Sequence, residues 1–126
     1  MNDKKKEKLK KNLVQADLMN QEDIIVDCIQ ANYVDKLIGN IGKWKQGWVY
    51  FTQERLICPT GILEENIIIP YRNICKIEKC SQGFFPMGIK ITYKSIKNQE
   101  EKVDKISVYK RKKWMSFMAE QAGITL

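Results

Sequence analysis

Between residues 21 and 109, apolar and polar side chains alternate in short runs, the pattern of half-buried strands. Ile24 to Tyr33 is the first such run, with Ile25, Ile29, Ala31 and Tyr33 on one predicted face. Trp48 to Phe51 sets Val49 and Phe51 against Trp48 and Tyr50. Arg55 to Cys58 follows across Thr52-Gln53-Glu54, which makes an antiparallel hairpin. Pro59-Thr60-Gly61 breaks the chain before an apolar run, Ile67-Ile68-Ile69, closed by Pro70. Ile74, Lys76 and Glu78 then alternate with Cys75, Ile77 and Lys79, and Ser81-Gln82-Gly83 is the next expected turn. Ile89, Ile91 and Tyr93 against Lys90, Thr92 and Lys94 give the most regular period of two. Beyond a polar turn from Lys97 to Glu101, Val103 to Tyr109 carries Ile106 and Val108 on one face. Seven strand-like runs with no helix between them predict a mainly β fold, an antiparallel barrel or sandwich.

The period changes at both ends of the chain. Trp114, Phe117, Met118 and Gln121 stand at helical spacing, widened by Met115, Ala119 and Ala122, and Gly123 supplies a helix stop. So wide an apolar stripe on residues 110–122 needs a partner surface, and the open end of a β-barrel provides one. Residues 1–20 carry six lysines from Lys4 to Lys11 and few apolar side chains. They form a basic leader, either a tail or a short helix with Leu9, Leu13 and Ala16 on one side, ahead of a domain at 21–126.

Composition narrows the function. A chain of 126 residues with 44% hydrophobic content suits one domain with one core. No apolar run approaches the ~20 residues needed to cross a bilayer, and Asn12 to Met19 lacks the apolar stretch of a secretory signal. The expected location is cytoplasmic, with peripheral attachment at the inner face of the membrane as a variant of it. The abundance of Lys, Ile and Asn is associated with AT-rich bacterial genomes. There is no histidine, the commonest general base, and no nucleophile–base pair, metal motif or phosphate-cradling glycine loop is visible. An enzyme is not expected, nor is a cofactor. Of Cys28, Cys58, Cys75 and Cys80 only the last two are close, and a regular strand would point them to opposite faces, so no zinc site is expected.

Seven strands followed by one helix is the element order of the pleckstrin-homology superfold. Gly47-Trp48-Val49-Tyr50-Phe51-Thr52-Gln53-Glu54-Arg55-Leu56-Ile57 resembles the hairpin of GRAM domains, in which glycine opens an apolar strand and Thr begins the turn. Ile67 to Tyr71, with Ile74 and Ile77-Glu78, is similar to the next family segment, and Lys110 to Trp114 resembles the start of its capping helix. The likeness covers roughly residues 21–122. The long Tyr33–Gln46 connection and the lysine-rich leader depart from it, and a bacterial pleckstrin-like domain fits nearly as well. The resemblance implies a module that binds lipid or protein.

The formal charge of +7 is unevenly placed. Residues 1–12 hold six lysines against Asp3 and Glu7, residues 110–113 add four cations, and the remainder sums to −1. Lys110-Arg111-Lys112-Lys113 at a helix N-terminus opposes the helix dipole, so an anion would relieve it. Arg55, just past the hairpin turn, is either an anion contact at the barrel rim or a turn-stabilising arginine bonded to backbone carbonyls or to a carboxylate. Lys43 and Lys45 are further candidate anion contacts, and Trp44 between them and the apolar segment holding Phe84 and Phe85 are candidate membrane contacts, since aromatics among lysines suit a bilayer interface. The expected partner is an anionic membrane lipid or an acidic protein. Assembly with itself or another protein, without lipid binding, is the alternative. Nucleic acid ranks last, because the paired aromatic platform of single-strand readers is missing.

Overall fold

The computed structural model describes residues 2–36, 42–59, 66–82 and 85–126. These form helix α1 (Asp3–Gln15), strands β1 (Ile25–Lys36), β2 (Gly42–Thr52), β3 (Arg55–Cys58) and β4 (Ile67–Pro70), and a 3-10 turn at Tyr71–Asn73. Strands β5 (Ile74–Gln82), β6 (Phe85–Lys94) and β7 (Glu101–Ser107) and helix α2 (Arg111–Ala122) complete the chain. All neighbouring strands are antiparallel, in the order β4-β3-β2-β1-β7-β6-β5. Among the described residues β1 and β7 pair at Asn32↔Ser107 and Tyr33↔Ile106 alone, so two half-sheets hang on a short seam. Val49, Phe51, Leu56 and Ile69 from one half pack with Ile77, Ile89, Ile91 and Ile106 from the other, and α2 closes the core with Trp114, Met115, Met118 and Ala119.

The predicted hairpin forms where its turn chemistry places it. Thr52 Oγ1 accepts from the amides of Glu54 (3.1 Å) and Arg55 (2.8 Å) and donates to Arg55 O (3.0 Å). Tyr71 Oη, at the foot of the 3-10 turn, donates to Thr52 O at 2.7 Å and locks β4 to the same turn. Gly123, at φ 71°, ends α2 as expected, and Ile124 N–H reaches back to Ala119 O at 3.0 Å. Gln121 does not belong to the apolar stripe; it is exposed.

Four local expectations are corrected. The expected Tyr33–Gln46 connection is shorter: β1 runs on to Lys36 and β2 begins at Gly42, paired from Tyr33↔Lys45 to Lys36↔Gly42, and residues 37–41 of that expectation lie outside the described residues. Asp35, Lys36, Lys43, Lys45 and Gln46 interrupt the apolar alternation there, so the pattern did not mark these strand ends. Ile25 does not share a face with Ile29, Ala31 and Tyr33. A bulge at Val26 turns Ile25 and Cys28 outward while the other three face the core. A second bulge at Cys75 brings Ile74 onto the inner face with Ile77, away from Lys76 and Glu78. Ser81 and Gln82 lie within β5 rather than in a turn.

Residues 3–15 form a docked helix. Asn2 caps it by accepting the Lys5 amide at 2.8 Å. Leu13, Leu18 and Met19, with Leu9 and Val14 at the margin, pack against Ile25, Tyr50, Ile57 and Ile68 on the outer side of β1–β4. This explains the two non-alternating runs. Leu56 and Cys58 face the main core and Ile57 faces α1; Ile67 and Ile69 face the core and Ile68 faces α1. A strand covered on both sides has no reason to alternate.

Candidate anion-binding surface

The first turn of α2 collects the cations that the sequence singled out. Lys110 is its N-cap residue, at φ 57° and ψ 47°, with no side-chain cap and no acidic residue in the turn. The four cations play different parts. Arg111 Nη1 donates to Cys80 O (3.2 Å) and Gly88 O (3.4 Å), which ties the helix to β5 and β6. Lys113 Nζ lies 4.7 Å above the Trp114 ring, which stacks on Phe51 at 4.0 Å and 7°. Lys110 and Lys112 are exposed.

The outer face of β5–β7 extends this potential. Lys90 and Lys105 are directly opposite each other on β6 and β7, an arrangement of like charges that destabilises a sheet. Glu78 offsets part of it, 3.6 Å from Lys76 and 4.0 Å from Lys90. Lys105, Arg111 and Lys90 all act on the Cys80 thiol. Burial nevertheless pushes that thiol up, against the pull of the three cations towards thiolate. Lys90 and Lys105 were not singled out from the sequence, although both fall on the polar side of regular strands. Only the sheet register reveals that they sit together beside α2.

Two aromatic side chains stand out beside the cations: Phe85 is 64% and Tyr109 79% exposed. They line an open groove of about 380 Å³ with Gln30, Asn32, Gln46 and Ser107.

Similarity to known proteins was found in structures only; no family model and no curated protein sequence matches the chain. The C-terminal domain of an unknown protein from Leishmania infantum superposes with a TM-score of 0.61 at 17% identity, covering 92% of this chain and 95% of that one. The human PH domain of pleckstrin homology domain-containing protein family A member 5 gives 0.53 at 15% identity, covering 86% and 84%. The fold is PH-like. A DH/PH fragment of PDZRHOGEF, solved in complex with human RhoA, gives 0.60 at 11% identity; the match covers 91% of this chain and 32% of that one. The chain thus spans about a third of such DH/PH fragments, and at these identities the likeness concerns fold alone.

Within the PH-like fold the remaining candidates scatter. Arg55 Nε lies 3.1 Å from Asp23 Oδ2, with the N–H not aimed along the contact, and Asp23 also accepts the Asn20 amide at 3.1 Å. Arg55 thus joins the turn to the segment before β1. Trp44 is half-buried on β2 opposite Val34, in a strand and not in a loop. Lys43 and Lys45 are opposite Asp35 and Tyr33 in the same ladder. Phe84 lies outside the described residues. Between the strands, Asp104 is 5% exposed and accepts the Tyr93 hydroxyl at 2.5 Å, a polar pair that the alternation pattern did not reveal. Among the described residues no group of three or more cysteine or acidic side chains is placed to hold a metal.

Proposed function

We propose that the chain is a non-catalytic binding module of GRAM or bacterial PH-like type that docks on an anionic lipid surface. The observation that carries this reading is the uncapped, cation-rich first turn of α2, whose Arg111 is bonded to β5 and β6 and acts on the Cys80 thiol together with the facing pair Lys90 and Lys105. Each arrangement is unfavourable alone, and an anionic surface relieves both. Phe85 and Tyr109 supply apolar rings for the interface. Attachment is peripheral on this reading; among the described residues no helix is long and apolar enough to cross a membrane.

Co-sedimentation with phosphatidylserine-containing and zwitterionic vesicles tests it. Only the anionic vesicles should retain the chain, and each reversal among Lys90→Glu, Lys105→Glu, Lys110→Glu and Lys112→Glu should weaken retention by about 1 kcal/mol. Retention unchanged in the fourfold variant overturns the reading. The alternative, a protein-binding or self-assembling module without lipid affinity, draws support from the RhoA complex of a neighbour. Light scattering that finds a stable assembly, together with no vesicle binding, favours it.

A further inference from the structure

In an antiparallel ladder every second residue turns its N–H and C=O away from a given neighbour. Just before β1 the Gln53 amide donates to Ile24 O (3.1 Å), and on β1 the Cys28 amide donates to Asp27 Oδ1 (2.8 Å). With the register Cys28↔Tyr50 and Gln30↔Trp48, the backbone groups of Cys28 and Gln30 face away from β2. Among the described residues β7 begins to pair with β1 only at Asn32, so on the side away from β2 no described strand lies beside Cys28 and Gln30. The Asp27 carboxylate stands in for the missing strand at Cys28. The sheet's outer edges are guarded, β4 by Pro70 and β5 by Lys76 and Lys79. The gap in β1 is flanked instead by exposed rings. Gln30 lies in the groove of Phe85 and Tyr109, while Val26 and Asp27 face Lys113, Phe117 and Glu120 across a second open hollow of about 390 Å³.

We infer that the open edge of β1 at Cys28 and Gln30 accepts an extended peptide strand whose acidic end lies against the first turn of α2. Backbone groups that face away from β2 and meet no described strand, one of them held only by the Asp27 side chain, select an extended strand over a helix. Charge fixes its polarity. Lys110 and Lys112 stand at the Tyr109 end with the positive pole of the helix, and Asp27 and Glu120 stand at the other. Docking replaces Asp27 with a peptide carbonyl at the Cys28 amide. The site shares Lys110 and Lys112 with the proposed lipid surface but takes its strand from β1 and does not use Lys90 or Lys105, so it goes beyond lipid docking and can be told apart from it.

The test is amide hydrogen exchange of the full chain, followed by NMR, with a short peptide of alternating valine and threonine led by two glutamates. Exchange at Cys28 and Gln30 should slow by about tenfold or more at saturation. The same peptide N-methylated at alternate residues should not bind. Asp27→Ala, which empties the Cys28 amide and removes a repulsive charge, should tighten binding by about threefold. Lys110→Glu should weaken it by about fivefold, and the pair Lys90→Glu, Lys105→Glu should leave it intact while weakening vesicle binding. No saturable binding, or binding without protection of Cys28 and Gln30, overturns the inference. So does equal binding of the N-methylated peptide or a proline-rich one, or protection of these amides by self-association alone.

Discussion

At Lys110 the backbone occupies φ 57°, ψ 47°, a left-handed conformation that strains a side chain with a Cβ, and the residue leaves α2 uncapped. Lys110→Gly should therefore stabilise the chain by about 0.5–1 kcal/mol in urea unfolding while weakening vesicle retention. A loss of stability would show that the lysine has a structural role not seen in its contacts. Trp114 is the reverse case. It is buried and stacked on Phe51, with Phe117 edge-on to both rings, so Trp114→Ala should cost about 3–5 kcal/mol in the same measurement. The thiols report on alkaline stability. Burial raises Cys28 from 9.0 to about 11, offset in part by a hydrogen bond with Tyr50. A group that holds its proton more tightly when folded gives its full stabilisation below pH 9 and loses it as pH rises towards 11. Burial moves Cys58 and Tyr71 in the same direction. Urea midpoints measured from pH 7 to 11 should fall above pH 9, and less steeply in Cys28→Ala; an equal slope in the two proteins would remove Cys28 as a cause.

Among the elements, α1 shows how far a local pattern carries. Its Leu9 and Leu13 were visible as a weak stripe, yet the surface they needed, Tyr50, Ile57 and Ile68, came from three strands far along the chain. Deleting residues 1–20 uncovers that surface. The truncated chain should bind a hydrophobic dye and unfold at lower urea, reflecting roughly 1.5–3 kcal/mol per large apolar side chain uncovered, less the ordering entropy of the helix. An unchanged midpoint would mean the docking contributes nothing net. Other elements were legible outright. The Thr52 turn, the alternation of β6 and the Gly123 stop each rest on neighbouring residues. The bulges at Val26 and Cys75 were not, because an extra residue in a ladder is defined by the partner strand.

For the whole molecule, the two basic segments rest on different halves of the fold. α1 covers the outer side of β1–β4, whereas Arg111 fastens α2 to β5 and β6. A flat membrane docked on the α2 side should gain little from the leader, since charges beyond about 8–10 Å are screened at physiological salt. Reversing Lys4 and Lys5 should thus change retention on anionic vesicles much less than reversing Lys110 and Lys112, measured side by side by co-sedimentation. Equal losses would place both segments on one docking surface.

The sequence by itself determined what rests on near neighbours: period-two strands, the helical stripe of Trp114 to Ala122, turn chemistry at Thr52, and a charge excess confined to two short segments. The tertiary structure decided the rest. It alone placed Lys90 opposite Lys105 beside α2, turned Ile25 and Ile74 to their faces, covered Tyr50 and Ile57, and left Cys28 and Gln30 with no described strand on the side away from β2. The physical reason is register. Side-chain direction follows from each strand's own alternation, but what a side chain or amide meets depends on a partner segment tens of residues away.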